Sequence, residues 1–130
     1  MFVTYEGEVL VALNMGCSSF DDYQTLALST AVYQNIGENL VYPAMGLAGE
    51  TGEYVDKVKK NWRNKGSMSA SNLTPEEKKE FAKELGDVLW YIAASARELG
   101  FDLSEIAVQN IAKLSDRRNR GVIKSEGDNR

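Results

Sequence analysis

The segment Thr74-Pro75-Glu76-Glu77 constrains the fold more than any other stretch of the chain. A threonine followed three residues later by glutamate lets each side chain satisfy the other's backbone N–H. Proline is tolerated just inside a helix start, so a helix begins here. It runs without another proline to Leu99, and Gly100 supplies the stop. Asp102-Leu103-Ser104-Glu105 repeats the capping signature and opens a further helix to about Arg120, closed by Gly121. Two amphipathic helices joined by so short a turn are antiparallel neighbours, and the spacing predicts an all-α bundle.

The preceding half reads the same way. Ser19-Phe20-Asp21-Asp22 opens a helix, with Tyr23, Ala27, Thr30 and Ala31 at helical spacing, expected to end near Gly37. Tyr42-Pro43 opens the next, which runs to about Arg63 with Leu47, Val55, Val58 and Trp62 on one side. Residues 64–72 are rich in Ser, Gly and Asn and predict a mobile loop. Residues 1–18 show no sustained period and are expected to form a short non-helical arm. The closing VIKSEGDNR has no helical pattern and reads as a tail. The expected domain is therefore a four-helix-bundle-like unit over residues 19–130.

Composition then narrows the chemistry. The chain has 130 residues, 19 Asp or Glu against 15 Lys or Arg, no His and one Cys. Its length suits one domain able to bury a core of its own. The net charge of −4 argues against nucleic acid as a partner, because a phosphate backbone wants a basic face. Zero histidines removes His-based nucleophilic triads and His-ligated zinc. What stays open is carboxylate chemistry, either acid/base work or oxygen ligands for Mg²⁺, Mn²⁺ or Ca²⁺. No run is long enough for a membrane span. The start carries Glu6 and Glu8 but no Lys or Arg, unlike a signal peptide, so a cytoplasmic protein is expected.

Two helices carry the same pattern. At 100° per residue, Glu50 and Glu53 share a face beside an apolar stripe, and Glu84 and Asp87 do so on the following helix. Chance placement of 19 acids gives roughly three acidic i, i+3 pairs and the chain has five, so pairing alone discriminates weakly. The surroundings discriminate better. Both pairs lie in runs poor in other polar groups and threaded with Gly46, Gly49, Gly52 and Gly86. Glycine costs about 1 kcal/mol inside a helix, which makes sense where a helix or ligand approaches closely. If the two stripes pack together, four carboxylates converge, and like charges raise one another's pKa unless a cation sits among them. The last helix supplies the opposite charge, with Asn110, Lys113 and Arg117 on one face.

These residues carry a resemblance. Gly46-Leu-Ala-Gly-Glu50-Thr-Gly-Glu53, Lys83-Glu84-Leu-Gly-Asp87-Val-Leu-Trp-Tyr91 and Asn110-Ile-Ala-Lys113-Leu-Ser-Asp-Arg117 resemble the motifs of MazG-like nucleotide pyrophosphohydrolases. This is the all-α NTP pyrophosphatase superfamily, in its short phage and bacterial form. The resemblance covers about residues 20–130; residues 1–18 match nothing in it, and the connection from Glu53 to Glu84 is long. It implies hydrolysis of a nucleoside triphosphate to NMP and pyrophosphate. Glu50, Glu53, Glu84 and Asp87 would bind two or three Mg²⁺ ions, with Mn²⁺ as a substitute, and Glu53 or Glu50 would act on the attacking water. Lys113 and Arg117 would stabilise phosphate charge, Asn110 would bond sugar or phosphate, and Tyr91 would pack on the nucleotide. Lys57 and Lys60 are weaker phosphate candidates, and Gln24 is a candidate for touching the base. Phosphoribosyl-ATP hydrolysis and a non-catalytic helical interaction module remain as alternatives.

An oligomer is also expected, a tetramer or else a dimer. Around the helix of Glu84, Trp90 and Ala94 lie away from the Phe81–Leu85–Ile92 stripe, and Leu89 widens it. An isolated unit would leave these groups in water, and such patches mark interfaces. The short members of the resembled family assemble in the same way.

Overall fold

The computed structural model describes residues 16–122. Among them are four α-helices and no strand: α1 (Phe20–Leu28), α2 (Val41–Lys65), α3 (Pro75–Glu98) and α4 (Leu103–Asn119). A short 3-10 turn, Ala70–Asn72, interrupts the serine-rich connection between α2 and α3. The expected arm lies almost wholly, and the tail apart from Val122, outside the described residues. No helix among the described residues is long and apolar enough to cross a membrane.

The long helices begin and end on the signals their sequence carries. Thr74 and Glu77 form the reciprocal box, with Glu77 N donating to Thr74 Oγ1 at 3.1 Å and Thr74 N to Glu77 Oε2 at 2.8 Å. Gly66 ends α2 at φ 66°, its N–H returning to the Trp62 carbonyl. α2 and α3 form an antiparallel pair, stitched by Lys57 on Glu84, Lys65 on Glu77 and the edge-on rings of Tyr54 and Phe81. α1 and α4 pack mainly against α3 and each other.

α1 is shorter than its spacing predicts, ending at Leu28 instead of near Gly37. The hydroxyls of Ser29 and Thr30 donate to the carbonyls of Leu26 and Ala27, each at 2.6 Å, which favours stopping the helix. Residues 29–40 then turn back, with Gly37 at φ 93°.

Trp90 also departs from expectation. It faces α1, where its indole N–H donates to Ala27 O at 3.0 Å and to Thr30 Oγ1 at 3.1 Å. Ala94 is fully buried. The two therefore belong to the internal packing, and the apolar surface lies elsewhere. Val108, Ile111 and Leu114 form an exposed row on α4, with Val41, Met45 and Trp62 exposed on α2.

The core is small and alanine-rich, built on Ala93, Ala96 and Leu103 with Tyr23, Ile92 and Ile106 against them. Gln24 is buried among these residues and has 3% of its surface exposed. Its amide donates to the carbonyls of Ala93 and Phe101 at 3.2 Å and accepts from Leu103 N at 3.0 Å. Asp21 beside it accepts from Ser104 N and Oγ. The first two N–H groups of α4, those of Leu103 and Ser104, are thus met by α1.

Candidate functional site

α2 and α3 cross so that Glu50, Glu84 and Asp87 each offer a carboxylate oxygen within 4.8 Å of the others. The fourth predicted acid, Glu53, lies outside this group and is exposed. Its charge still reaches Glu50. Burial first, then the charges of Glu53, Asp87 and Glu84, push the Glu50 carboxyl above its ordinary pKa. Lys57, expected at a phosphate, instead holds Glu84 Oε1 at 2.7 Å and donates to the Glu80 carbonyl at 3.3 Å. That contact raises the lysine's own pKa. Lys60 pairs with Asp56 one turn back on its own helix.

Beside the carboxylates opens a pocket of about 370 Å³ whose other wall is aromatic. Glu50 and Asp87 line it together with Tyr33, Tyr42, Trp90 and Tyr91. Tyr33 and Tyr42 stack at 4.8 Å, Trp90 meets Tyr91 edge-on at 5.0 Å, and Tyr42 lies 6.4 Å from Tyr91. Burial and the neighbouring Tyr42 hydroxyl keep the Tyr91 phenol above its usual range. Gly46 accounts for the position of Tyr91, because a Cβ there would meet the ring. The other three glycines do not follow this rationale: a Cβ at Gly49, Gly52 or Gly86 would meet nothing within 4 Å.

The predicted basic face is placed differently. Asn110 and Lys113 line a separate groove of about 580 Å³ with Phe20, Leu89, Ile92 and Ile106, on another face of α3. Arg117 follows one turn later on α4. One chain therefore brings together Glu50, Glu84, Asp87 and Tyr91, with Glu53 and Lys57 beside them. It does not bring Asn110 or Lys113 to the same pocket, and Gln24 is fixed in the core. The sequence pattern does not mark Tyr33, and it marks Tyr42 only as a helix start beside Pro43.

The model of the MazG nucleotide pyrophosphohydrolase domain matches residues 43–122, which include the whole carboxylate cluster and α4. The chain belongs to the MazG nucleotide pyrophosphohydrolase family. It is also 44% identical over 115 residues to the Gene 37 protein of Mycobacterium phage L5, covering 85% of this chain and 97% of that one. No solved structure matches. Glu50, Glu84 and Asp87, three of the four acids on which the resemblance rests, lie within the matched residues and are those that the α2–α3 pair gathers. As a donor set they suit a hard divalent cation: all oxygen, all anionic when ionised, and close enough for one ion to offset their mutual repulsion.

Proposed function

We propose that the protein hydrolyses nucleoside or deoxynucleoside triphosphates to the monophosphate and pyrophosphate, with Mg²⁺ as its cofactor and Mn²⁺ as a substitute. The observation that carries this reading is the gathering of Glu50, Glu84 and Asp87 within 4.8 Å beside an aromatic pocket. Glu50, Glu84 and Asp87, with Glu53 beside them, would hold Mg²⁺, which when bound would neutralise the triphosphate and lower the pKa of water. Glu53, exposed and one turn from Glu50, takes the proton of the water that attacks phosphorus. Glu50 orients that water. Tyr91 packs against the nucleotide.

Asn110, Lys113 and Arg117 act on sugar and phosphate in a homo-oligomer, where a second copy presents α4 to the pocket. The separation of Asn110 and Lys113 from the carboxylates within one chain supports this arrangement, as does the exposed apolar row of α4. The protein works in the cytoplasm on a small-molecule substrate.

A screen of canonical NTPs and dNTPs for released pyrophosphate tests the reading. Release should vanish with EDTA and return with Mg²⁺ or Mn²⁺. Absence of release from every nucleotide in Mg²⁺ would overturn it and favour a helical interaction module.

A further inference from the structure

Glu98 is an acid that the sequence patterns do not single out, at the far end of α3 from the carboxylate cluster. It accepts hydrogen bonds from three donors on one short segment. Tyr33 Oη and Gly37 N meet its Oε1 at 2.5 and 3.0 Å, and Asn39 N meets its Oε2 at 3.0 Å. Asn39 passes the constraint onward, because its side chain donates to Gln34 O at 2.8 Å and accepts from Tyr42 N at 3.1 Å. Apart from Glu98, the segment is held by Trp90, whose indole donates to Thr30 Oγ1 and whose ring meets Tyr33 edge-on; residues 29–40 form no helix, and Val32 and Ile36 are exposed. Yet it carries Thr30, Val32 and Tyr33, which with Tyr42 line the same pocket as Glu50 and Asp87.

We propose that Glu98 is a positioning residue for this pocket. Its carboxylate clasps the Tyr33–Asn39 turn and fixes the stacked Tyr33–Tyr42 pair as the wall against which the base of a nucleotide packs. The proposal rests on the reading of the pocket as a nucleotide site. A flat ring set against stacked aromatics gains contact without needing a particular hydrogen-bond pattern. The phosphates lie at the carboxylate end and are held without the clasp. Glu98 therefore governs affinity for the nucleoside part and leaves affinity for a bare phosphate chain alone.

The test is equilibrium binding in Mg²⁺ of two probes: a nucleoside triphosphate with a methylene bridge between the α- and β-phosphates, and tripolyphosphate. Glu98→Ala should weaken the nucleotide about tenfold, the scale of one lost charged hydrogen-bond set, with tripolyphosphate unchanged. Glu98→Gln, which keeps one acceptor oxygen, should fall between. Tyr33→Phe, which keeps the ring and loses one donor, guards against a variant that fails to fold and should weaken the nucleotide about threefold. Equal weakening of both probes, or of neither, overturns the proposal. Wild-type turnover with nucleotide binding insensitive to Glu98 would refute the clasp and leave the proposed function standing. Glu98-dependent nucleotide binding without turnover would do the reverse, and a wild-type protein that binds neither probe refutes both.

Discussion

A methyl group placed on Gly46 would lie 2.1 Å from Cε1 of Tyr91, so α2 and α3 can hold that ring over the pocket only because residue 46 has no side chain. Gly46→Ala should cost about 1–3 kcal/mol by overpacking and should displace Tyr91. Adding Tyr91→Ala to that background should restore part of the loss, which a double-mutant cycle of thermal melts reads directly. Gly86→Ala has open space around its new methyl and should instead gain about 1 kcal/mol from helix propensity.

The Glu98 clasp sets a dependence on pH. Bonds from Tyr33, Gly37 and Asn39 hold the Glu98 carboxyl below its ordinary 4.5. Its contribution is therefore complete above about pH 4.5 and is lost as the pH falls through the lower folded value. Tyr33, buried and bonded to the same carboxylate, is pushed up to about 12, so its contribution is complete below 10 and lost as the pH rises toward 12. Thermal melts of Glu98→Gln should show a flatter acid limb than the parent, and those of Tyr33→Phe a flatter alkaline limb. Parallel curves would remove the clasp from the stability account.

Much of this architecture is legible along the chain, and the exceptions share a cause. Thr74 with Glu77 and Asp102 with Glu105 mark their helices because a cap is a local device, closed within four residues. The acidic pairs are legible because i, i+3 spacing fixes a face. The early stop of α1 is not. The turn after it is held by Glu98, about sixty residues further on, and no local pattern announces that. Gln24 and Trp90 fail for the same reason: each polar group finds a backbone carbonyl on a distant helix, which turns inward a residue that its own helix would leave at the edge. Glu53 has the right spacing to join the cluster but stays outside it, since sequence fixes a face and not the crossing of two helices.

The exposed row Val108, Ile111 and Leu114, together with Trp62 at 59% exposure, predicts a homo-oligomer, with a tetramer expected and a dimer next. Light scattering at micromolar protein should give a multiple of the 14.4 kDa chain mass. Val108→Asp combined with Ile111→Asp should shift the species toward monomer. An active monomer would contradict the assembly.

Lys113→Ala and Arg117→Ala should each slow turnover by roughly 10- to 1,000-fold, the range for losing a preorganised donor to developing charge. The loss should be similar for every base. Because Lys113 lines a different groove from the carboxylates in its own chain, mixing Glu53→Gln and Lys113→Ala subunits should recover part of the activity that neither has alone. Mixed oligomers that gain nothing would contradict a Lys113 supplied by a second copy.

The central claim is that the acids Glu50, Glu53, Glu84 and Asp87 together serve hydrolysis of the bond between the α- and β-phosphates. ³¹P NMR of a nucleoside triphosphate turned over with Mg²⁺ tests it most directly. The expected spectrum shows monophosphate and pyrophosphate growing together in equal amounts, and neither should grow with Glu50→Gln. Diphosphate with inorganic phosphate, or unchanged turnover by Glu50→Gln, would contradict the account.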